Sequence, residues 1–577
     1  MKKLLVFLKH YKIETIMAPL FKLLEASFEL FVPLVMASLI DIGIGNKDEG
    51  YIIKCCVVLI SLAVIGLVCA ITAQYFAAKA ATGFSTELRH ALFSRIQAFS
   101  FSQIDKMGTS TLITRMTSDI NQVQSGVNLV LRLFLRSPCI VFGAAIMAFR
   151  VDRRGAVVFA VVIPLLSFVV FSIMLFTMPL YKKVQSRLDQ VLLVTRENLT
   201  GSRVLRAFNK EEDEKIRFSQ NNQVLTNAQK YAGRISALMN PITYLIVNGG
   251  LICLIYLGAV RVNIGALTQG QVVALINYMS QILVELIKLA NLIITVTKSL
   301  ASADRIKDII ETEPEQMDGN EREAASLSGP EVEFKNVSLT YKNAGEETLT
   351  DISFAADKGE IIGVIGGTGS GKTSLVHLIP GYYRATGGEI KIFGKNIDEY
   401  APEFLRKKVG MVFQKAVLFK GSIKENICWG NENASDEEVE TALRISQAEE
   451  VVKGKKEGLQ FLVEQGGKNL SGGQRQRLTI ARALLGKPDI LILDDSSSAL
   501  DYATDARLRK ELWNMKDRPL IFLVSQRTAT VRWADRILVL DDGRLVGNGK
   551  HEELLEHCEV YREIYHSQFS KEVAVNE

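Results

Sequence analysis

GGTGSGKTS, Gly366 to Ser374, fits G-x-x-x-x-G-K-[ST], with Gly366, Gly371, Lys372 and Thr373 in the required places. Gly367, Thr368, Gly369 and Ser370 fill the positions between, and Ser374 closes the run. An apolar, β-branched segment, Ile361 to Ile365, precedes it, and an apolar helix-like segment, Ser374 to Ile379, follows. That is the strand-loop-helix context in which such a loop cradles phosphates. The glycines allow a tight turn, so several backbone N–H groups and the positive end of the next helix point at one anion. Lys372 is then expected to neutralise the β- and γ-phosphates, and the Thr373 hydroxyl to hold Mg²⁺. A nucleotide site is the expectation on which the remaining chain is placed.

At 577 residues the chain exceeds one core, since cores stop growing near ~250–300 residues. Hydrophobic residues make up 48% and charged residues 23%, and the long apolar runs all precede about residue 300. A membrane domain over 1–303, a linker over 304–329 rich in Glu and Asp, and a soluble domain over 330–577 are expected. The fold class that follows is an all-α transmembrane domain of six helices joined to an α/β P-loop nucleotide-binding domain. A net charge of +5 with no basic stripe interleaved by aromatics argues against nucleic acid as a partner. The seven cysteines are scattered, several within apolar runs, and read as small core hydrophobes.

Six apolar segments, near 17–41, 54–80, 128–149, 155–181, 240–262 and 271–298, are long enough to cross a bilayer, which takes ~20 helical residues. Lys2, Lys3, Lys9 and Lys12 before the first favour a cytoplasmic N-terminus in the cell membrane, and an even count returns the soluble domain to that side. Arg150, Arg153 and Arg154, in the outer turn between the third and fourth spans, run against that rule. The inner connections are long, so their helices must project well beyond the bilayer. At their tips stand IDKMGTSTLITRMTSDI (Ile104 to Ile120) and LTGSRVLRAFNKEEDE (Leu199 to Glu214), each with the mixed character of a short docking helix.

Ionisable residues within spans face a bundle interior or a wet cavity. Lys22, Glu25 and Glu29 share a face of the first span, and Glu285 and Lys288 lie one turn apart in the last. Glu25, Glu29 and Glu285 are therefore candidate substrate-path residues, with Glu285, near mid-span, the foremost. The opposing expectation is mutual neutralisation, or snorkelling to the inner interface for Lys22, Arg132 and Arg136.

In the soluble half the strand Ile490 to Leu493 runs into Asp494, a carboxylate placed to bind Mg²⁺. Between the two phosphate motifs stands NLSGGQRQR, Asn469 to Arg477, in which Ser471, Gly472, Gly473 and Gln474 open a helix-like segment, a second anion site. With these residues the chain resembles the ATP-binding cassette (ABC) transporters, and among them half-size exporters with six spans fused to one nucleotide-binding domain. The resemblance covers essentially the whole chain. It implies that Tyr341 stacks on adenine, that Gln414 is the Q-loop glutamine touching Mg²⁺, that Ser498 to Asp501 form the D-loop, and that the two inner tips are coupling helices. It also implies a head-to-tail pair of domains, each ATP held between the phosphate loop of one and LSGGQ of the other.

Two positions depart from the family pattern. Asp495 stands where a glutamate usually polarises the attacking water, and Gln526, in Ser525-Gln526-Arg527, replaces the usual switch histidine. Aspartate is one methylene shorter, and a misplacement of ~1 Å can cost on the order of 100-fold in rate. Glutamine cannot carry an imidazolium charge. Asp495 and Gln526, the catalytic candidates, are thus expected to leave a site that binds MgATP and hydrolyses it slowly. Since LSGGQ is intact, the implied partner is a second half-transporter with a consensus glutamate and histidine. The expected function is ATP-driven export of hydrophobic or amphiphilic compounds, drugs or lipids, by a multidrug-type heterodimeric translocase. The alternatives are an ATP-gated channel or regulatory subunit, or a homodimeric lipid or peptide exporter.

Overall fold

The computed structural model describes residues 4–315, 319–323, 329–342 and 344–573. Its contacts divide into two units, Met1–Ile96 with Ser110–Thr312, and Gln97–Thr109 with Glu313–Glu577. The last long helix, Gln269–Glu311, runs into the acidic stretch expected as a linker over 304–329. Residues 316–318 and 324–328 of that linker lie outside the described residues.

The first unit carries six helical segments long and apolar enough to cross a membrane: Leu4–Ile44, Glu49–Gln97, Thr109–Val151, Arg153–Thr200, Glu211–Asn263 and Gln269–Glu311. They are taken below as spans one to six. Spans two and four, of 49 and 48 residues, reach about 70 Å at ~1.5 Å per residue, more than twice a ~30 Å hydrocarbon core. Ile60, Leu67 and Ile71 of span two and Phe168 and Phe176 of span four are each more than half exposed. Apolar stripes of that extent demand lipid or a partner helix rather than water.

Small residues and a few polar ties set the packing of this unit. A Cβ on Gly126 of span three would strike Ser299 of span six, whose hydroxyl donates to the Gln122 carbonyl at 2.7 Å. Such close approach is how helices associate where lipid removes the hydrophobic incentive. Asp41 caps the start of span six through the Gly270 N–H at 2.7 Å, beside a Thr268–Gln271 capping box. Asp152 caps span four through Gly155 at 2.7 Å and pairs with Arg261 at 3.0 Å. Asp152 is buried, and the arginine that pairs with it comes from span five rather than from the cluster in that turn.

In the second unit a six-stranded sheet runs in the order Arg544–Gly549, Arg536–Asp541, Ile361–Gly366, Leu520–Val524, Ile490–Asp494, Val409–Val412. All neighbours are parallel except the first pair. The inner strands are buried along their whole length, as sheets covered on both faces require. A four-stranded antiparallel sheet, Leu349–Ala356, Val332–Leu339, Gly387–Ile392 and Lys395–Asn396, shares a core with it, Phe354 meeting Phe522 edge-on.

Candidate nucleotide site

Four strands of the larger sheet end side by side, and each delivers one part of a cleft. Gly366 leads into the phosphate loop, Val524 into Ser525 and Gln526, Asp494 into Asp495, and Val412 toward Gln414. At ~4.8 Å between strands the four ends span roughly 14 Å, and open α/β sheets take ligands outside such carboxyl ends. The resulting cleft, of about 450 Å³, is lined by Thr368, Gly369, Lys372, Thr373, Gln414, Asp494, Asp495 and Gln526 among others.

The loop is held in its turn by its glycines. Gly371 has φ +92°, and a Cβ there would also press on Leu349 and the Thr348 carbonyl; a Cβ on Gly366 would strike the Leu540 carbonyl at 2.1 Å. Lys372 opens the helix Lys372–Leu378, and its ammonium donates to the carbonyls of Gly366 at 2.9 Å and Gly367 at 2.5 Å and to Ser370 Oγ at 3.3 Å. Burial drives its pKa below the ordinary lysine range, against the pull of Asp495 and Asp494. Thr373 Oγ1 donates to Asp494 at 3.0 and 3.1 Å to its two carboxylate oxygens. Burial raises the Asp494 pKa; the Thr373 hydrogen bond opposes this, Asp495 adds to it, and Lys372 opposes it. A hydroxyl and a buried carboxylate brought together in this way suit a divalent cation.

Asp495 follows in the left-handed region, φ 42°, where aspartate is better tolerated than most residues. Its Oδ2 accepts from Gln414 Nε2 at 3.3 Å. Gln526 Oε1 accepts from Thr368 Oγ1 at 3.4 Å, and its carbonyl accepts from Gln568 Nε2 at 2.8 Å, on the helix Glu559–Val573. The structure thus brings Asp494, Asp495, Gln414, Gln526 and the loop together. Tyr341 is held at the edge: its hydroxyl donates to Ser374 Oγ at 2.9 Å and its ring meets Tyr383 edge-on at 5.0 Å.

Ser471 to Gln474 are not brought to this cleft. Ser471 caps the helix Gly472–Leu485, its hydroxyl accepting from the Gln474 N–H at 3.2 Å while the Gln474 side chain accepts from the Ser471 N–H at 3.0 Å. A Cβ on Gly472 would meet nothing within 4 Å, so the face it presents is open.

Several residues of this region escaped the sequence. His377 lies 3.9 Å from Asp494, ringed by Tyr382, Tyr383 and Phe413. Burial lowers its pKa despite Asp105, so near pH 7 it is neutral and forms no ion pair. The helix Phe101–Met107 docks in the same unit: Phe101 stacks on Tyr382 with centroids 4.4 Å apart, and Tyr383 donates to Asp105 at 2.6 Å. This helix begins three residues before the expected tip at Ile104, because Ser100 and Gln103 form a capping box, the one available sequence signal. The second tip folds as Ser202–Ala207 in the first unit, with none of its residues buried.

In the membrane unit Arg136 does not snorkel. It is 7% exposed, with its guanidinium 2.5 Å from Glu285, 2.8 Å from Glu29 and 3.7 Å from Glu25. Lys22 pairs with Glu25 at 2.5 Å, and Lys288 and Ser137 with Glu285 at 2.8 Å each. Three cations, Lys22, Arg136 and Lys288, thus balance three carboxylates across spans one, three and six. Glu285 is buried inside this knot, while the Glu29 side chain is 40% exposed.

Residues 15–286 match the model of the ABC transporter transmembrane region, and residues 349–498 that of the ABC transporter family. The chain is 36% identical, over 99% of both lengths, to the uncharacterized ABC transporter ATP-binding protein YfiB of Bacillus subtilis (strain 168). It is 29% identical to the ATP-dependent lipid A-core flippase of Syntrophus aciditrophicus (strain SB), covering 84% of this chain and 80% of that one. A bacterial Atm1-family ABC exporter, solved with ATP bound, shares the fold with TM-score 0.80 at 22% identity, covering 97% of this chain and 98% of that one. With a six-span unit, a phosphate loop and LSGGQ on one chain, the protein belongs to the ABC transporter family and shares the fold of an ABC exporter.

Proposed function

We propose that this chain is one half of a heterodimeric exporter whose own phosphate-loop site binds MgATP tightly and turns it over slowly. The carrying observation is that Asp495 and Gln526 line the same cleft as Lys372, Thr373 and Asp494. Binding groups are complete there, while both groups that would act on the γ-phosphate are replaced. When bound, MgATP supplies the phosphoanhydride whose hydrolysis is coupled to transport. Lys372 would exchange its loop carbonyls for the β- and γ-phosphate oxygens, and Thr373 and Asp494, with Gln414, would hold Mg²⁺. Tyr341, beside Ser374, would take the adenine ring.

Asp495 is a shorter base, already engaged by Gln414, and Gln526 could offer the γ-phosphate only a neutral hydrogen bond where an imidazolium would place charge. Ser471, Gly472, Gly473 and Gln474, on an open helix start, would close the partner's site. The partner half then needs the glutamate and histidine that this chain lacks. Its cargo is hydrophobic or amphiphilic, a drug or lipid, in keeping with the relative named as a lipid A-core flippase. The N-terminus and nucleotide-binding domain would lie in the cytoplasm of a cell-membrane protein. Inverted vesicles test this: solute should accumulate against its gradient only while ATP turns over. Equilibration without accumulation would indicate a channel.

A further inference from the structure

Spans four, five and six enclose a cavity of about 630 Å³, within the ~300–1,000 Å³ of small-molecule sites. It runs from Ile173 to Gln185 along span four and from Ala290 to Ala301 along span six. At ~1.5 Å per residue that is roughly 17 Å, close to one leaflet of a ~30 Å hydrocarbon core. Its two ends differ in chemistry. Toward mid-span the wall is Ile173, Met174, Met178, Met239 and Ala290, and methionine is the side chain that best adapts to flexible apolar guests. Toward the C-terminal ends of spans four and six stand Lys182 and Lys298, both exposed and neither in an ion pair among the described residues. Among the described residues, no acidic side chain lines the cavity.

The charged knot around Arg136 offers no such site, since its three cations are matched by three carboxylates. The two free ammonium groups are the uncompensated charge, and an anion held by both gains charge-assisted hydrogen bonds that a neutral headgroup lacks. We propose that this cavity takes a single-tailed amphiphile with an anionic headgroup from the bilayer, its tail along the methionine wall and its headgroup between Lys182 and Lys298. This names the substrate class of the exporter proposed above and rests on that reading.

The test is equilibrium binding to the full-length chain in maltoside micelles, read as mass adducts by native mass spectrometry. The probes are hexadecyl phosphate, hexadecyltrimethylammonium and hexaethylene glycol monohexadecyl ether. Hexadecyl phosphate should bind best, and Lys182→Gln with Lys298→Gln should weaken it at least tenfold while leaving the uncharged ether unchanged. Lys182→Glu with Lys298→Glu should transfer the preference to the ammonium probe. Millimolar inorganic phosphate should not displace hexadecyl phosphate. Equal binding of the cationic and anionic probes by the unaltered chain, unchanged binding in both double variants, or displacement by inorganic phosphate overturns the proposal. Because binding requires no ATP turnover, such a failure leaves the exporter reading standing. Intact probe binding without ATP-driven uptake would instead sink the exporter alone.

Discussion

Arg136→Met is the sharpest probe of the charged knot in the membrane unit. The guanidinium is 7% exposed and faces Glu285, Glu29 and Glu25, so its loss leaves three carboxylates against Lys22 and Lys288. Breaking a buried ion pair from one side costs about 3–5 kcal/mol, because the survivor stays buried without its partner. Glu285→Gln should cost less, since Arg136 keeps Glu29 at 2.8 Å. The double change Arg136→Met with Glu285→Gln restores two charges against two and should recover part of the loss. At ~2–4 °C per kcal/mol, Arg136→Met should lower Tm by roughly 6–20 °C. A thiol-reactive fluorogenic dye can follow this in detergent, since Cys55 and Cys69 of span two are buried and unpaired. Transport of cationic and neutral amphiphiles by Glu285→Gln should fall together. Unchanged Tm in all three variants, with selective loss of cationic cargo in Glu285→Gln, would refute the structural role and return Glu285 to the substrate path.

Lys372→Ala removes the cation of the phosphate cradle, a loss of roughly 1.5–3 kcal/mol, and should weaken labelling of this chain by a photoreactive ATP analogue at least tenfold. Gly472→Asp places a carboxylate on the open helix start and should suppress most ATPase activity of the assembled pair through the partner's site; full turnover would discard the head-to-tail arrangement. Glu331 is buried, one carboxylate oxygen lacks a hydrogen bond, and burial, then Asp489, raises its pKa to about 7 from 4.5. The folded state therefore holds this proton more tightly than the unfolded one, so stability is lost as pH rises from about 4.5 through about 7. Glu331→Gln should accordingly stabilise the nucleotide-binding unit at pH 8, by up to about 3 kcal/mol, and do little at pH 4.5. Trp429, Trp513 and Trp533, the chain's three tryptophans, all lie in that unit and report its unfolding selectively.

The parts legible in the sequence are those whose physics is local. A phosphate loop needs its glycines, lysine and threonine within nine residues, and each span declares itself by a long, predominantly apolar run. The sequence could also place Asp494, since a buried strand ending in a carboxylate is itself a local pattern. What it could not show is which distant side chains meet. Arg136 and Glu285 are 149 positions apart, and an arginine near a span end reads as snorkelling until the helices are packed. Tyr383 and Asp105, 278 positions apart, belong to one docked surface only because Gln97–Thr109 folds with the C-terminal unit. The left-handed backbone at Asp495 and the tie from Gln568 to the Gln526 carbonyl likewise arise from tertiary structure.

The central claim is that binding and hydrolysis are separated at this chain's own site. With the partner's catalytic glutamate changed to glutamine, the remaining hydrolysis comes from the site built on Lys372, Asp494, Asp495 and Gln526. It should be slow as found, gain modestly with Asp495→Glu alone, and gain clearly only with Gln526→His added, because catalytic groups act as a unit. Single-turnover hydrolysis of radiolabelled ATP measures this directly: ATP should remain intact for many turnover times of the partner's unmodified site. Hydrolysis by the unrepaired site at the rate of the partner's own consensus site would contradict the claim and remove the main reason for a heterodimer.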